Sequence, residues 1–305
     1  MKDKVIIKEE KLFKSFKDLW SVPYSCFYKG EWWAVASFST MTYAWDPAKG
    51  MRKIIGENKI DKNLIDGSSH QVTCLFERKG ELYIMSSKGF FYEMTSDKWQ
   101  VHSKEEMKKG SNGILFQTTA YDPINDTLLA YGGQMQGAAR YTVVKDSYLY
   151  NFKTDTWSIV KDKELMKVDY EWIKKNKENV EFRVAYHQHE KKFLLVGRNV
   201  SSYFDGRSWE SFSHDPIKHG GGCLLTNGKS EVVLYINFYL KTTSIKGVTI
   251  HKIQDRKVEL VSTIELPEGC RPNYDGRDCC FDASTGCLFI QTDEMNISLD
   301  LKSYF

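Results

Sequence analysis

Residues 128–160 read LLAYGGQMQGAARYTVVKDSYLYNFKTDTWSIV, and this segment restricts the fold more than any other. An apolar run over 128–131 stops at Gly132-Gly133. A polar loop follows, then an alternating run over 147–152, a turn over 153–155, and a third run from Trp157 to Val160. Two-residue alternation bounded by turn residues marks half-buried antiparallel strands, because successive side chains on a strand point to opposite faces. The glycine pair supplies positive φ and lets backbones approach closely.

The same rhythm recurs in six copies, over 24–55, 70–102, 115–160, 182–212, 222–263 and 279–305. Lettering each copy a to d from the inner strand outwards, the first has Met51 where a tryptophan is due in d. The second places Tyr92 and Trp99 at the spacing of Tyr150 and Trp157. The fourth carries Gly197, Tyr203 and Trp209, and the fifth has no tryptophan. The sixth runs out after its third strand. Residues 18–22, Asp-Leu-Trp-Ser-Val, match 155–159, Asp-Thr-Trp-Ser-Ile, and are the expected outer strand of that last copy. An N-terminal strand added to the C-terminal sheet closes a ring and removes its open edges. Leu12, Phe13 and Phe16 also fit one face of a helix over residues 9–17. Residues 163–178 interrupt the repeat with Leu165, Met166, Tyr170, Trp172 and Ile173 at helical spacing. They read as a helix packed on the rim or as a partner-docking element.

Composition agrees with an all-β chain: aromatics reach 14%, glycine is frequent and proline scarce. The net charge of +3 is small and interspersed, so no nucleic-acid partner and no polybasic membrane patch is expected. The apolar residues Val5, Ile6 and Ile7 are too few for a signal segment, and no run is long enough to span a bilayer. Seven cysteines without a CxxC pair read as reduced thiols in a cytoplasmic protein. On that reading the sequons at Asn125, Asn199 and Asn296 are incidental.

The third copy resembles a kelch repeat through Gly132, Gly133, Tyr150 and Trp157, with weaker matches at Tyr92 and Trp99 and at Gly197 and Trp209. The resemblance implies a single-domain, six-bladed kelch-like β-propeller over 1–305, closed by the N-terminal strand. It also implies partner binding through one face, built from the b–c loops and the inter-blade d–a connections. In this chain those are residues 37–41, 56–70, 134–145, 213–222, 238–247 and 264–278. They hold Arg140, Tyr141, His219, Arg271, Asn273, Tyr274 and Arg277, and Arg198 sits in a shorter loop of the same rim. Arginine and tyrosine are enriched at binding hot spots, and guanidinium groups suit carboxylate or phosphate recognition. The expected ligand is therefore acidic or polar.

Chemistry is harder to assemble. His187 and His189 fall at the end of strand a and read as a turn-exposed pair, with no third metal ligand nearby. Cys279 and Cys280 are adjacent in a strand and cannot face one way. Cys223, His219 and Cys270 meet only if two blades happen to bring them together. His219-Gly220-Gly221-Gly222 leads into a strand, so it lacks the helix N-terminus of a phosphate loop. Glu57 and Asp61 sit in a loop with no sign of convergence. No catalytic residue, cofactor or metal is assigned. The expectation is a non-enzymatic protein- or peptide-binding propeller. The alternative is an isomerase- or lyase-type enzyme acting on a small polar or sugar-like ligand at the channel mouth.

Overall fold

The computed structural model describes residues 5–8, 23–36, 42–46, 51–55, 72–96, 98–108, 113–115, 117–136, 141–144, 146–161, 182–217, 222–241, 244–266, 279–291 and 296–305. The chain is an all-β, six-bladed β-propeller of four-stranded antiparallel sheets. It divides into two compact units, Ser15–Lys161 and the pairing of Met1–Lys14 with Asp162–Phe305. The first strand of the chain, β1 (Val5–Lys8), belongs to the second of these units.

The unit of residues 15–161 holds three blades. Blade one is β2 (Pro23–Tyr28), β3 (Glu31–Ala36), β4 (Thr42–Asp46) and β5 (Met51–Ile55). Blade two is β6 (Val72–Arg78), β7 (Glu81–Ser86), β8 (Phe91–Thr95) and β9 (Lys98–Ser103). A two-residue strand, β10 (Ile114–Leu115), precedes blade three. Blade three is β11 (Thr118–Asp122), β12 (Thr127–Tyr131), β15 (Ser147–Asn151) and β16 (Thr156–Val160). Between β12 and β15, β13 (Gln134–Gln136) and β14 (Tyr141–Val143) join β10 in a separate three-stranded sheet. The longest expected b–c loop, 134–145, is thus partly strand.

The other unit holds blades four to six. Blade four is β17 (Arg183–His187), β18 (Lys192–Val196), β19 (Val200–Phe204) and β20 (Trp209–Ser213). Blade five is β21 (Gly222–Leu225), β22 (Val233–Lys241), β23 (Ser244–Gln254) and β24 (Lys257–Glu265). Its β22–β23 pairing includes 238–241 and 244–247, within the segment 238–247 that the sequence reads as a loop. Blade six is β25 (Cys279–Asp282), β26 (Cys287–Gln291) and β27 (Asn296–Asp300), with β1 on the outside. The N-terminal strand does complete the C-terminal blade, but it is Val5–Lys8, pairing Val5 with Leu299 and Lys8 with Asn296. The expected segment 18–22 is not that strand and lies outside the described residues, as do residues 9–17 and the insert 163–178.

Local chemistry explains the hairpins. In blades one and two, Lys29-Gly30 and Lys79-Gly80 turn with φ of 49° and 82°, then 51° and 82°. Two left-handed residues match the twist of the flanking strands. Elsewhere an aspartate or asparagine caps the turn with its own carboxylate or amide oxygen. Asp122 accepts from the backbone N–H of Ile124 at 2.8 Å, Asp205 from Arg207 at 2.8 Å, and Asn151 from Lys153 at 2.9 Å. Gly133 has φ 97°, and a Cβ there would lie 2.6 Å from the carbonyl oxygen of Leu115. The small sheet can form only because that position has no side chain.

Apolar faces of adjacent blades make the cores. Between blades two and three, Tyr83, Met85, Phe91, Leu128, Tyr148 and Tyr150 are buried together. In blades two and three the d-strand tryptophan fastens its blade to the one before it. Trp99 Nε1 donates to Thr42 Oγ1 of blade one at 2.8 Å, and Trp157 Nε1 to the Gly89 carbonyl of blade two at 3.4 Å. Burial of each large ring stabilises by roughly 2–3 kcal/mol. All six described cysteines are free thiols. Burial pushes the Cys74 thiol up to about 12, which leaves it unreactive.

Candidate functional site

Antiparallel connectivity gives each blade two ends. The a–b and c–d turns share one end; the b–c and d–a connections share the other. The structure gives these ends different jobs.

At the a–b end, charge is spent on joining blades. Arg78, the last residue of β6, donates from Nε and Nη2 to the two oxygens of Asp126 at 2.7 and 3.0 Å. Its third contact is the Tyr83 hydroxyl at 3.0 Å, and its guanidinium lies 4.2 Å from the Phe152 ring centre. Lys79 and the Tyr121 hydroxyl also donate to Asp126. Burial opposes the charge of Asp126, but the bonds from Arg78, Lys79 and Tyr121 outweigh it and hold the carboxyl well below the usual carboxylate range. In the other unit, Arg256 on the c–d turn of blade five donates to Glu190 and Glu210 of blade four at 3.1 Å, over the Tyr203 ring. His187 lies at this end too. It is buried at 2% exposure with Nδ1 3.4 Å from the Tyr203 hydroxyl. The expected exposed pair is therefore half wrong: His189 is at the surface, whereas β17 turns His187 inward.

The b–c end carries the elaborations. In the unit of residues 15–161 it bears the β10–β13–β14 sheet, and Tyr141 is the first residue of β14. In the other unit, β21 ends at Gly222, opposite Asn237, and β24 ends at Glu265, opposite Gly247. Past those points β22 and β23 continue as a two-stranded ribbon in which Leu240 pairs with Ile245 and Lys241 with Ser244. A register shift after Tyr239 leaves Lys246 without an opposite residue in that ladder.

A polar seam lies near the base of this ribbon, with one set of hydrogen bonds in blade four and another in blade five. Ser201 in β19 meets His214 Nε2 at 2.9 Å, and His214 Nδ1 meets the Asp215 carbonyl oxygen at 2.9 Å. A carbonyl only accepts, so Nδ1 carries the proton and Nε2 accepts from the Ser201 hydroxyl. Opposite, Asn237 Nδ2 donates to Thr249 Oγ1 at 3.2 Å, and Thr249 Oγ1 is 3.1 Å from His251 Nε2. Burial lowers both histidines, His251 to about 4, where the charge of His214 adds to the effect. Arg198, half-buried in the b–c turn of blade four, accepts through its carbonyl from the Ile217 N–H at 2.8 Å, and Asn199 does the same for His214 at 3.0 Å.

Of the expected face residues, Arg198 thus stands at the seam and Tyr141 in β14. Arg140, His219, Arg271, Asn273, Tyr274 and Arg277 lie outside the described residues. Sequence reasoning missed Ser201, His214, Asn237, Thr249 and His251, which share no motif. A weak signal was present in the polar residues that interrupt the apolar faces of β19 and β22. Among the described residues no three His, Cys, Asp or Glu side chains form a metal site, and no helix is long and apolar enough to cross a membrane.

No protein-family model and no curated protein matches the chain. Solved structures do. A luciferin-regenerating enzyme is similar with a TM-score of 0.59 at 12% identity, covering 97% of this chain and 95% of that one. A putative gluconolactonase gives 0.58 at 13%, covering 98% and 92%. An auxiliary nutrient binding protein from Bacteroides thetaiotaomicron gives 0.53 at 12%, covering 90% and 68%. Their likeness is one of fold. Enzymes and a binding protein share it, so function must come from the site.

Proposed function

We propose that the b–c end is a peptide-recognition surface and that the protein is a binding module for an extended, acidic or polar segment of a protein partner. The β22–β23 ribbon carries this reading. Among the described strands none pairs with its flanks beyond β21 and β24, and these flanks are where an added strand would pair. Lys241 and Lys246 occupy the ribbon, and their charge favours carboxylates in the added segment. Arg198 lies at the same end of blade four, in the same unit as the ribbon. At the opposite end Arg78 and Arg256 are committed to blade-to-blade ion pairs.

A displayed random-peptide library panned on the purified protein tests the reading. Enriched peptides should be rich in Asp and Glu and should weaken at high salt. They should lose about tenfold or more in affinity against Lys241→Glu/Lys246→Glu. Absence of enriched peptides, or equal binding by the charge-reversed variant, would sink it.

A second reading is an isomerase- or lyase-type enzyme on a small polar or sugar-like substrate. It draws on the fold shared with the luciferin-regenerating enzyme and the putative gluconolactonase, and on a hydroxyl, Ser201, within hydrogen-bond reach of a base, His214. Ser201 is fully buried, which keeps substrate from it in this conformation. Peptide recognition therefore ranks first.

A further inference from the structure

We propose that the outer strand of blade five is a self-association surface: a second copy of this chain packs antiparallel against β24 about a two-fold axis at Val261. The middle of β24 is apolar and exposed for a structural reason. Val258 packs on the core shared with blade four, whereas Ile264 lies in the core shared with blade six. In a regular strand these two positions would face the same way. A bulge turns them apart: Leu260 pairs with His251 and Ser262 with Ile250, which leaves Val261 as the extra residue.

The two ends of β24 are thus anchored in different cores, and Leu260 and Val261 serve neither. They are 60% and 39% exposed, and among the described residues they are the only consecutive large hydrophobics at the surface. Singly exposed apolar residues are ordinary, but an adjacent pair is the start of a patch. The strand is also long. It has nine residues, against four to six in the outer strands of the other blades. At about 3.4 Å per residue it offers an edge of about 30 Å. Among the described strands none pairs with its outer side.

Charge identifies the occupant. Lys257 opens the strand and Glu265 closes it, each exposed and each four residues from Val261. A two-fold axis at Val261 exchanges the two ends, so Lys257 of each copy meets Glu265 of the other, twice per dimer. No other outer strand carries charges of both signs. The strand is therefore its own complement, which is what an isologous contact requires. A parallel arrangement would set lysine against lysine and glutamate against glutamate.

The bulge also sets the strength of the contact. It interrupts the outer ladder at the axis, so Leu260 and Val261 side chains hold the centre in place of continuous hydrogen bonds. A contact of this size associates weakly, with a dissociation constant on the order of micromolar. The inference stands without the peptide reading, because it is read out on the protein alone.

Sedimentation equilibrium tests it: the mass of the purified chain should rise from one copy to two between about 1 and 200 μM. Lys257→Glu and Glu265→Lys each set like charges together at two places and should weaken the dimer about tenfold or more. Mixed with one another, these two variants should pair to within about threefold of wild type, because every contact then joins opposite charges. Should a single reversal fail to fold by circular dichroism, Lys257→Glu/Glu265→Lys decides. That chain should dimerise with itself and not with wild type. A monomer at every concentration overturns the proposal. So does a dimer indifferent to the reversals, a mixture that does not pair, or a double variant that pairs with wild type as well as with itself.

Discussion

The two arginine centres at the a–b end use the same parts and reach different strengths. Arg78 and Asp126 are 11% and 3% exposed, bonded through two parallel N–H groups and roofed by Phe152. Arg256 is 32% exposed and divides itself between Glu190 and Glu210, the latter 52% exposed. Both join neighbouring blades, both lie on an aromatic ring, and both are arginine–carboxylate contacts. What separates them is water. A buried pair is worth little against an apolar replacement, yet removing one member strands the other at a cost of about 3–5 kcal/mol. An exposed pair of the same chemistry is worth about 0.2–1 kcal/mol. The comparison teaches that the buried centre is a point of failure and the exposed one a trim.

Breaking the buried centre should give the largest effect. Arg78→Met should lower stability by about 3 kcal/mol or more at neutral pH, measured by urea denaturation followed through tryptophan fluorescence. The loss should depend on acid. The Asp126 pKa is depressed in the folded state, so its contribution is full above its unfolded value of about 3.9 and is lost as pH falls below that. The gap between wild type and variant should therefore begin to narrow below about pH 3.9 and still be open at about pH 3, where folded Asp126 remains ionised. A gap of unchanged size from about pH 7 down to about pH 3 would mean Arg78 acts through packing on Phe152. Lys79 is 62% exposed and reaches the same carboxylate at 2.6 Å. Lys79→Met should cost about 1 kcal/mol, between the two extremes, because its buried partner keeps Arg78. The smallest change belongs to Arg256→Ala, at most about 1 kcal/mol and vanishing at high salt. A loss as large as that of Arg78→Met would end the distinction between the two centres.

Much of the blade architecture was legible in the sequence because strand alternation, Lys-Gly turns and Asx caps are local. Spacing proved less informative than it looked. Tyr92 and Trp99 repeat the interval of Tyr150 and Trp157, but only the latter two pair across the ladder. In blade two Thr95 pairs with Lys98, a shorter turn with a register shift after Phe91, so Trp99 stands opposite Met94. The outer strand of blade six was misassigned because Val5–Lys8 carries no repeat residue. Its partner is distant in sequence, and strand pairing leaves no mark on residues that far apart. The β22–β23 ribbon was read as a loop because Lys241-Thr242-Thr243-Ser244 contains none of the glycine or asparagine that announce a hairpin. For the seam, single hydroxyls and histidines acquire meaning only when two blades bring them together.

The β1–β27 ladder also sets a clock. Val5 emerges early and its partner Leu299 about 290 residues later. At translation rates of about 5–20 residues per second, the first strand waits roughly 15–60 s for its ladder. For that interval β25–β27 do not exist, and the hydrogen-bonding groups of Val5–Lys8 are open to any neighbouring strand. Blades one to five are complete in sequence before the sixth, so the last blade can be assembled only once residues 279–300 have been made. Mistakes in making this protein should concentrate there.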